Sequence, residues 1–247
     1  PPAVWRIDGR RLEPARPAPF PAPSTPAPEA LASSSMLTDL GAEVVIEHGV
    51  VTGQILGLVI ARVVLDDRGM ARLEVGVGRH DREAFALIHG DQPNRDAVAD
   101  VADAVRRVRH AGGPEHPLRH LAAGAWLRDV VVAKPDLAGA VTLDRIEGPA
   151  PRNSLKDVVP AAAAGQAADG QPLVVVCSVG VDVDLVPWAA DARAGHDASA
   201  RLVLVVPERD DHALTRALAR TLREPAQVVT APNQWREVGP STPRYPS

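Results

Sequence analysis

Between residues 172 and 232 five segments alternate in kind, and that alternation constrains the fold more than any other feature of the chain. PLVVVCSV (172–179), ARLVLVVP (200–207) and AQVVTAP (226–232) are continuous apolar runs, while VDLVPWAADARAG (183–195) and DDHALTRALARTLRE (210–224) read as amphipathic helices. A strand that is apolar throughout has to be covered on both faces, and strands joined through a helix pair in parallel. The pattern predicts a parallel βαβαβ sheet over residues 173–231.

The rest of the chain reads as a different kind of unit. PARPAPFPAPSTPAP (14–28) holds seven prolines, which cannot donate to helix or ladder hydrogen bonds, so residues 1–28 are expected to form a Pro-rich extended arm. EALASSSMLTDLG (29–41) predicts a short helix stopped by Gly41. The β-branched runs 42–53, 55–65 and 71–78, with DDRG (66–69) as a turn, predict a three-stranded antiparallel meander. In NRDAVADVADAVRRVRHAGG (94–113), Val98, Val101, Val105 and Val108 share one helical face, with Asn94 as a cap and Gly112-Gly113-Pro114 as the stop. A second helix is expected over 118–130 with Trp126 on its buried face, followed by a strand over 141–146. Residues 147–172 lose periodicity and gain Pro, Gly and Ala, the signature of a linker. The fold expected is α/β: an N-terminal α+β lobe (29–146), a linker (147–172), a C-terminal βαβαβ lobe (173–231) and a tail (232–247).

Composition narrows the function classes. The chain of 247 residues is 45% hydrophobic but only 3% aromatic, so its core is aliphatic. Net charge is -4, and of 27 basic residues only Lys134 and Lys156 are lysines, so no strongly basic domain announces a nucleic-acid partner. A single cysteine, Cys177, excludes an internal disulfide and a thiolate zinc cage. The absence of a long apolar run or a signal-type leader leads us to expect a cytoplasmic protein without a membrane partner.

Two stretches gather chemistry-bearing residues. In LEVGVGRHDREAFALIHGD (73–91), the period of two puts Leu73, Val75 and Val77 on one face and Arg72, Glu74 and Gly76 on the other. With Glu43 and Glu47 sharing a face of the first strand, stacking can bring Glu43, Glu47, Arg62, Arg72 and Glu74 together, with Arg79, His80, Asp81 and Glu83 at the rim. Glu47, Glu74 and Asp81 are the metal-ligand candidates. Hard cations such as Mg²⁺ or Mn²⁺ take oxygen ligands and activate water. The bland alternative is cross-strand charge pairing, with Asp81 capping the next helix.

A helix, a strand meander and a following helix, with Glu74 on the third strand, resembles the PD-(D/E)xK, or restriction-endonuclease-like, core over residues 29–110. The resemblance is partial. Gly76 stands where that family places a lysine, and Asp66 and Asp67 lie beyond the second strand. It implies a divalent-metal-dependent phosphodiesterase or nuclease with Glu74, Asp81 and Arg79 in the catalytic centre, and nucleic acid as the partner.

The second stretch is VVVCSVGVDVDLV (174–186). Ser178, Gly180, Asp182 and Asp184 follow a parallel strand, at the edge where open α/β sheets bind ligands. No Gly-rich nucleotide fingerprint or P-loop lysine accompanies them. Three readings follow. The first is a binding or regulatory module without catalytic machinery, engaging a protein partner through its arm or cleft. The second is the metal-dependent phosphodiesterase, and the third a small-ligand site at Ser178–Asp184.

Overall fold

A computed structural model describes residues 5–15, 22–90, 95–151 and 158–238. The cap position Asn94, the centre of the Pro-rich arm, part of the segment read as a linker and the last nine residues lie outside them. The described chain is a mixed α/β structure with a four-stranded antiparallel sheet and a five-stranded mixed sheet.

The Pro-rich region begins with a hairpin, β1 (Trp5–Asp8) and β2 (Arg11–Pro14), rather than an uninterrupted extended arm. Residues 22–27 form no regular secondary structure, and Ser24 packs against Gly49. The single helix expected over 29–41 is two short ones, α1 (Pro28–Ala32) and α2 (Ser35–Thr38), with the Ser33 hydroxyl bonded back to the Glu29 carbonyl at the break.

The expected three-stranded meander has four strands: β3 (Glu43–Glu47), β4 (Val50–Ile55), β5 (Leu58–Leu65) and β6 (Ala71–Val75), all antiparallel in sequence order. The run 42–53 folds back on itself because His48 and Gly49 both take positive φ, 51° and 74°, the geometry of a two-residue hairpin turn. Leu56 and Gly57 do the same between β4 and β5. A Cβ at position 57 would lie 2.6 Å from that of Ala125, so only glycine lets this turn reach the helix beneath it.

Helix α3 (Arg79–His89) has no buried residue, whereas α4 (Arg95–Val108) packs Val98, Ala102 and Val105 against the sheet. The helix expected at 118 starts five residues later as α5 (Ala123–Ala133), after a 3-10 turn at Pro117–Arg119. The intervening carbonyls of Leu118, Leu121 and Ala122 are taken by the Arg109 guanidinium, which also binds Ile55 and Leu56 carbonyls. Helical bonding is thereby displaced, and Ala122 takes positive φ.

The five-stranded sheet runs β11-β10-β9-β8-β7. Its strands β9 (Pro172–Cys177), β10 (Arg201–Pro207) and β11 (Gln227–Ala231) are parallel, joined by α6 (Leu185–His196) and α7 (Ala213–Thr221) as the alternation predicts. Two strands extend it antiparallel: β7 (Ala140–Ile146) and β8 (Ala161–Ala167). Strand β8 lies inside the segment read as a linker. Its alanines are buried on both faces, Ala163 toward α5 and Ala162 and Ala164 toward α6. The expected tail likewise begins with a short helix, α8 (Trp235–Val238), whose Trp235 is fully buried.

Helices α6 and α7 cover one face of this sheet, and α5 with α8 the other. Helix α5 serves two cores. Ala122 and Ala125 face the four-stranded sheet, while Trp126, Leu127, Val130 and Val131 face the five-stranded one. Trp126 meets Trp235 edge to face at 5.7 Å, with the guanidiniums of Arg109, Arg119 and Arg236 stacked within 5.4 Å of its ring.

Candidate functional site

On β6, alternation does what the sequence predicts: Leu73 and Val75 are buried, and Glu74 points to the other face, directly opposite Arg62 on β5. The carboxylate is clamped. Arg62 Nε donates to Oε2 at 2.7 Å, Arg72 Nη2 to Oε1 at 3.3 Å, and Arg82 Nε lies 3.8 Å away from across the groove. Gly76, at φ 136°, allows the start of α3 to close on the strand, since a Cβ there would fall 2.8 Å from the Arg82 nitrogen. Asp81 accepts the Gly78 N–H at 3.2 Å, closing the first turn of α3. Arg79 and His80 extend from that turn toward Glu83, at 3.4 Å each. The result is a groove of about 330 Å³ between β6 and α3, lined by Arg62, Arg72, Arg79 and Arg82 with Glu74 and Glu83.

The three carboxylates expected to share a metal are dispersed. Glu74 is held by arginines, Asp81 by the helix it caps, and Glu47 by Arg128 of α5 at 3.2 Å. The register explains the separation: Glu74 faces Arg62, Arg62 faces Thr52 and Thr52 faces Val45, so three strand spacings of about 5 Å each intervene before β3 is reached. Among the described residues no group of three His, Cys, Asp or Glu is arranged to hold a metal ion. On α4 and just beyond it, Arg109 is buried and Arg106 is tied to Asp103 and the Leu40 carbonyl.

At the carboxyl edge of β9, Ser178 is buried with its hydroxyl unpartnered. The Gly180 N–H is taken by Asp210, from the loop after β10, at 2.8 Å. The two loops therefore meet, as a shared edge requires. Asp182 accepts the Asp184 N–H at 2.9 Å, and Asp184 precedes α6 without a side-chain cap bond. Asp211 forms a two-pronged pair with Arg216, and His212 caps α7. Cys177 is fully buried, and burial pushes its thiol far above the ordinary range, which removes it as a nucleophile.

A third site escapes pattern reading. Within the apolar helix α5, Arg128 and Asp129 begin a chain of charges that joins the two sheets. Arg128 Nη1 reaches Glu47, Arg128 Nε and Arg145 Nε reach Asp129 Oδ1 at 3.1 and 2.9 Å, and Arg145 reaches Glu43 at 2.5 Å. Desolvation raises the Asp129 carboxyl above its usual range, against the pull of Arg128 and Arg145. Two buried atoms in this chain are unpartnered, Arg128 Nη2 and Asp129 Oδ2. Arg128 and Glu47 border a cavity of about 110 Å³ between the sheets.

No family model, curated protein or solved structure matches the chain. The geometry is thus the sole guide to chemistry. It offers a groove richer in guanidinium than in carboxylate, a strand edge at which Asp182, Asp210 and Asp211 are engaged locally, and a buried charge chain beside an inter-sheet cavity. The signal for the last was present in AGAWLRDVVVA (123–133), where two adjacent opposite charges interrupt a helix apolar on every side.

Proposed function

We propose that the chain is a binding module and not a catalyst, and that it takes a phosphate-bearing partner in the groove between β6 and α3. One observation carries the reading: four arginines line this groove against two glutamates. Guanidiniums suit phosphate because their fork of N–H groups matches its oxygens, and they hold their charge at any physiological pH. Burial pushes the Arg82 guanidinium below its usual range, with the neighbouring Arg62 charge adding to the effect, so the attraction of an anion entering the groove offsets these costs.

The non-catalytic half of the reading is supported by the acids and the thiol. Glu74 spends both oxygens on Arg62 and Arg72, Asp81 gives Oδ2 to the Gly78 N–H, and the Cys177 thiol is buried and protonated. A metal-dependent phosphodiesterase would need those carboxylates free and adjacent. In this reading the four-stranded sheet with α1–α4 forms one lobe, the five-stranded sheet the other, and the groove belongs to the first.

The test is calorimetric titration of the full chain with inorganic polyphosphate over a range of salt concentrations. Binding is expected to weaken with salt, and Arg79→Gln, at a side chain 77% exposed, is expected to weaken it several-fold and lower the salt slope by about one. Absence of binding at low salt, or an unchanged slope in the variant, would overturn the proposal.

A further inference from the structure

Helix α3 leaves most of its apolar side chains in solvent. Phe85 packs on the core of the four-stranded sheet, its ring 4.4 Å from that of His89 one turn on. Leu87 and Ile88, by contrast, are 88% and 75% exposed, and Ala84 and Ala86 are exposed with them. A lone aliphatic side chain on a surface needs no explanation, but two adjacent ones projecting from a helix without a buried residue do.

The neighbouring elements enlarge this patch. Helix α3 runs back along β6, since Arg72 near the start of the strand and Gly90 at the end of the helix line the same groove. The start of β6 is also where β5 ends, because Leu65 pairs with Ala71. Met70, in the turn between them, is 66% exposed, and Leu65 is exposed as well. Leu65, Met70, Leu87 and Ile88 thus stand at one end of the lobe, beside the arginine groove. The acids nearby are matched locally: Asp66 accepts the Arg68 and Met70 N–H groups, Asp67 is followed by the exposed Arg68, and Glu83 pairs with Arg79 and His80.

This combination selects among phosphate-bearing partners. Free phosphate has nothing to place on aliphatic side chains. Nucleic acid bases stack on open aromatic rings, whereas the ring of α3 is turned to the core and to His89. A phospholipid joins a phosphate to an apolar body, and a cationic groove beside projecting aliphatic side chains matches both parts.

We propose that this end of the lobe docks on the surface of a membrane carrying anionic phospholipid. The groove of Arg62, Arg72, Arg79 and Arg82 holds a headgroup phosphate, and Leu87, Ile88 and Met70 enter the boundary with the acyl chains. The inference rests on the phosphate reading of the groove. The lack of a long apolar run, which led the sequence to be read without a membrane partner, does not bear on a contact that lies on the surface.

The test is co-sedimentation of the full chain with phosphatidylcholine vesicles, with and without phosphatidic acid, set beside calorimetric titration with inorganic polyphosphate. Binding is expected only to vesicles containing phosphatidic acid. The double substitution Leu87→Ser and Ile88→Ser is expected to weaken vesicle binding at least roughly tenfold, the loss that goes with two aliphatic side chains no longer buried, while polyphosphate binding and circular dichroism stay unchanged. Arg79→Gln is expected to weaken both. Polyphosphate binding without vesicle binding, equal binding to vesicles of phosphatidylcholine alone, or undiminished vesicle binding in the folded double variant would each overturn the membrane assignment and leave the groove reading standing; the last would point to a polar phosphate carrier such as a phosphopeptide. Failure of polyphosphate to bind would bring down the groove reading, and this inference with it.

Discussion

Asp129 shows how a single residue can work against the fold that contains it. Desolvation, the largest influence, raises its carboxyl, and the nearby Arg128 and Arg145 charges only partly offset this. A carboxyl with a raised folded-state pKa holds its proton more tightly in the folded than in the unfolded chain. Its effect on stability is therefore unfavourable at neutral pH and is relieved as pH falls through the folded value toward the ordinary carboxylate range. Asp129→Asn removes this dependence. Urea unfolding across the acidic range is expected to show wild type gaining on the variant as pH falls; parallel profiles would contradict it. At this scale the sequence was informative wherever period decides direction: Leu73 and Val75 inward, Glu74 outward, and Asp81 at the first turn of a helix. It was silent on Arg128 because the reason for a buried guanidinium lies in Glu47, 81 positions away.

Elements follow the sequence where local pattern and tertiary demand agree. The alternation of β9, α6, β10, α7 and β11 was readable because each strand is apolar throughout and each helix is bounded by turn residues. Strand β8 was not, since AAAAGQA has neither period nor β-branched side chains and its strand form rests on pairing with β7 and β9. Its small residues include Ala163, which packs in the same core as α5. The hairpin before β4 was hidden for another reason, since a two-residue turn in the middle of a valine-rich run leaves little trace beyond one glycine, whereas the turn after β4 falls close to the break between the runs 42–53 and 55–65. Gly57→Ala tests how firmly the second of these turns is held. The substitution meets both a positive φ of 75° and the Ala125 backbone at 2.7 Å, so a loss of about 2 kcal/mol or more is expected from chemical denaturation. A loss under about 0.5 kcal/mol would mean that the turn and α5 separate easily.

Across the whole molecule, the two sheets are joined by α5, by the ion pairs Glu47–Arg128 and Glu43–Arg145, and by Arg109 bound to the Leu56 carbonyl of the β4–β5 turn and to the Leu118 carbonyl that precedes α5. Such coupling predicts one thermal transition, with secondary structure and tryptophan environment lost together. Arg145→Ala, which strips a partner from the buried Asp129, is expected to lower that transition as a unit by about 3 kcal/mol. Two separated transitions, or a shift in one signal alone, would show that the sheets unfold independently. The Trp126–Trp235 pair has a use of its own in such work. Two indoles 5.7 Å apart and nearly perpendicular, at 83°, couple their excited states, so the docked α8 carries its own optical signature. Loss of that coupling in the near-ultraviolet would therefore report the undocking of α8 by itself, with no label attached.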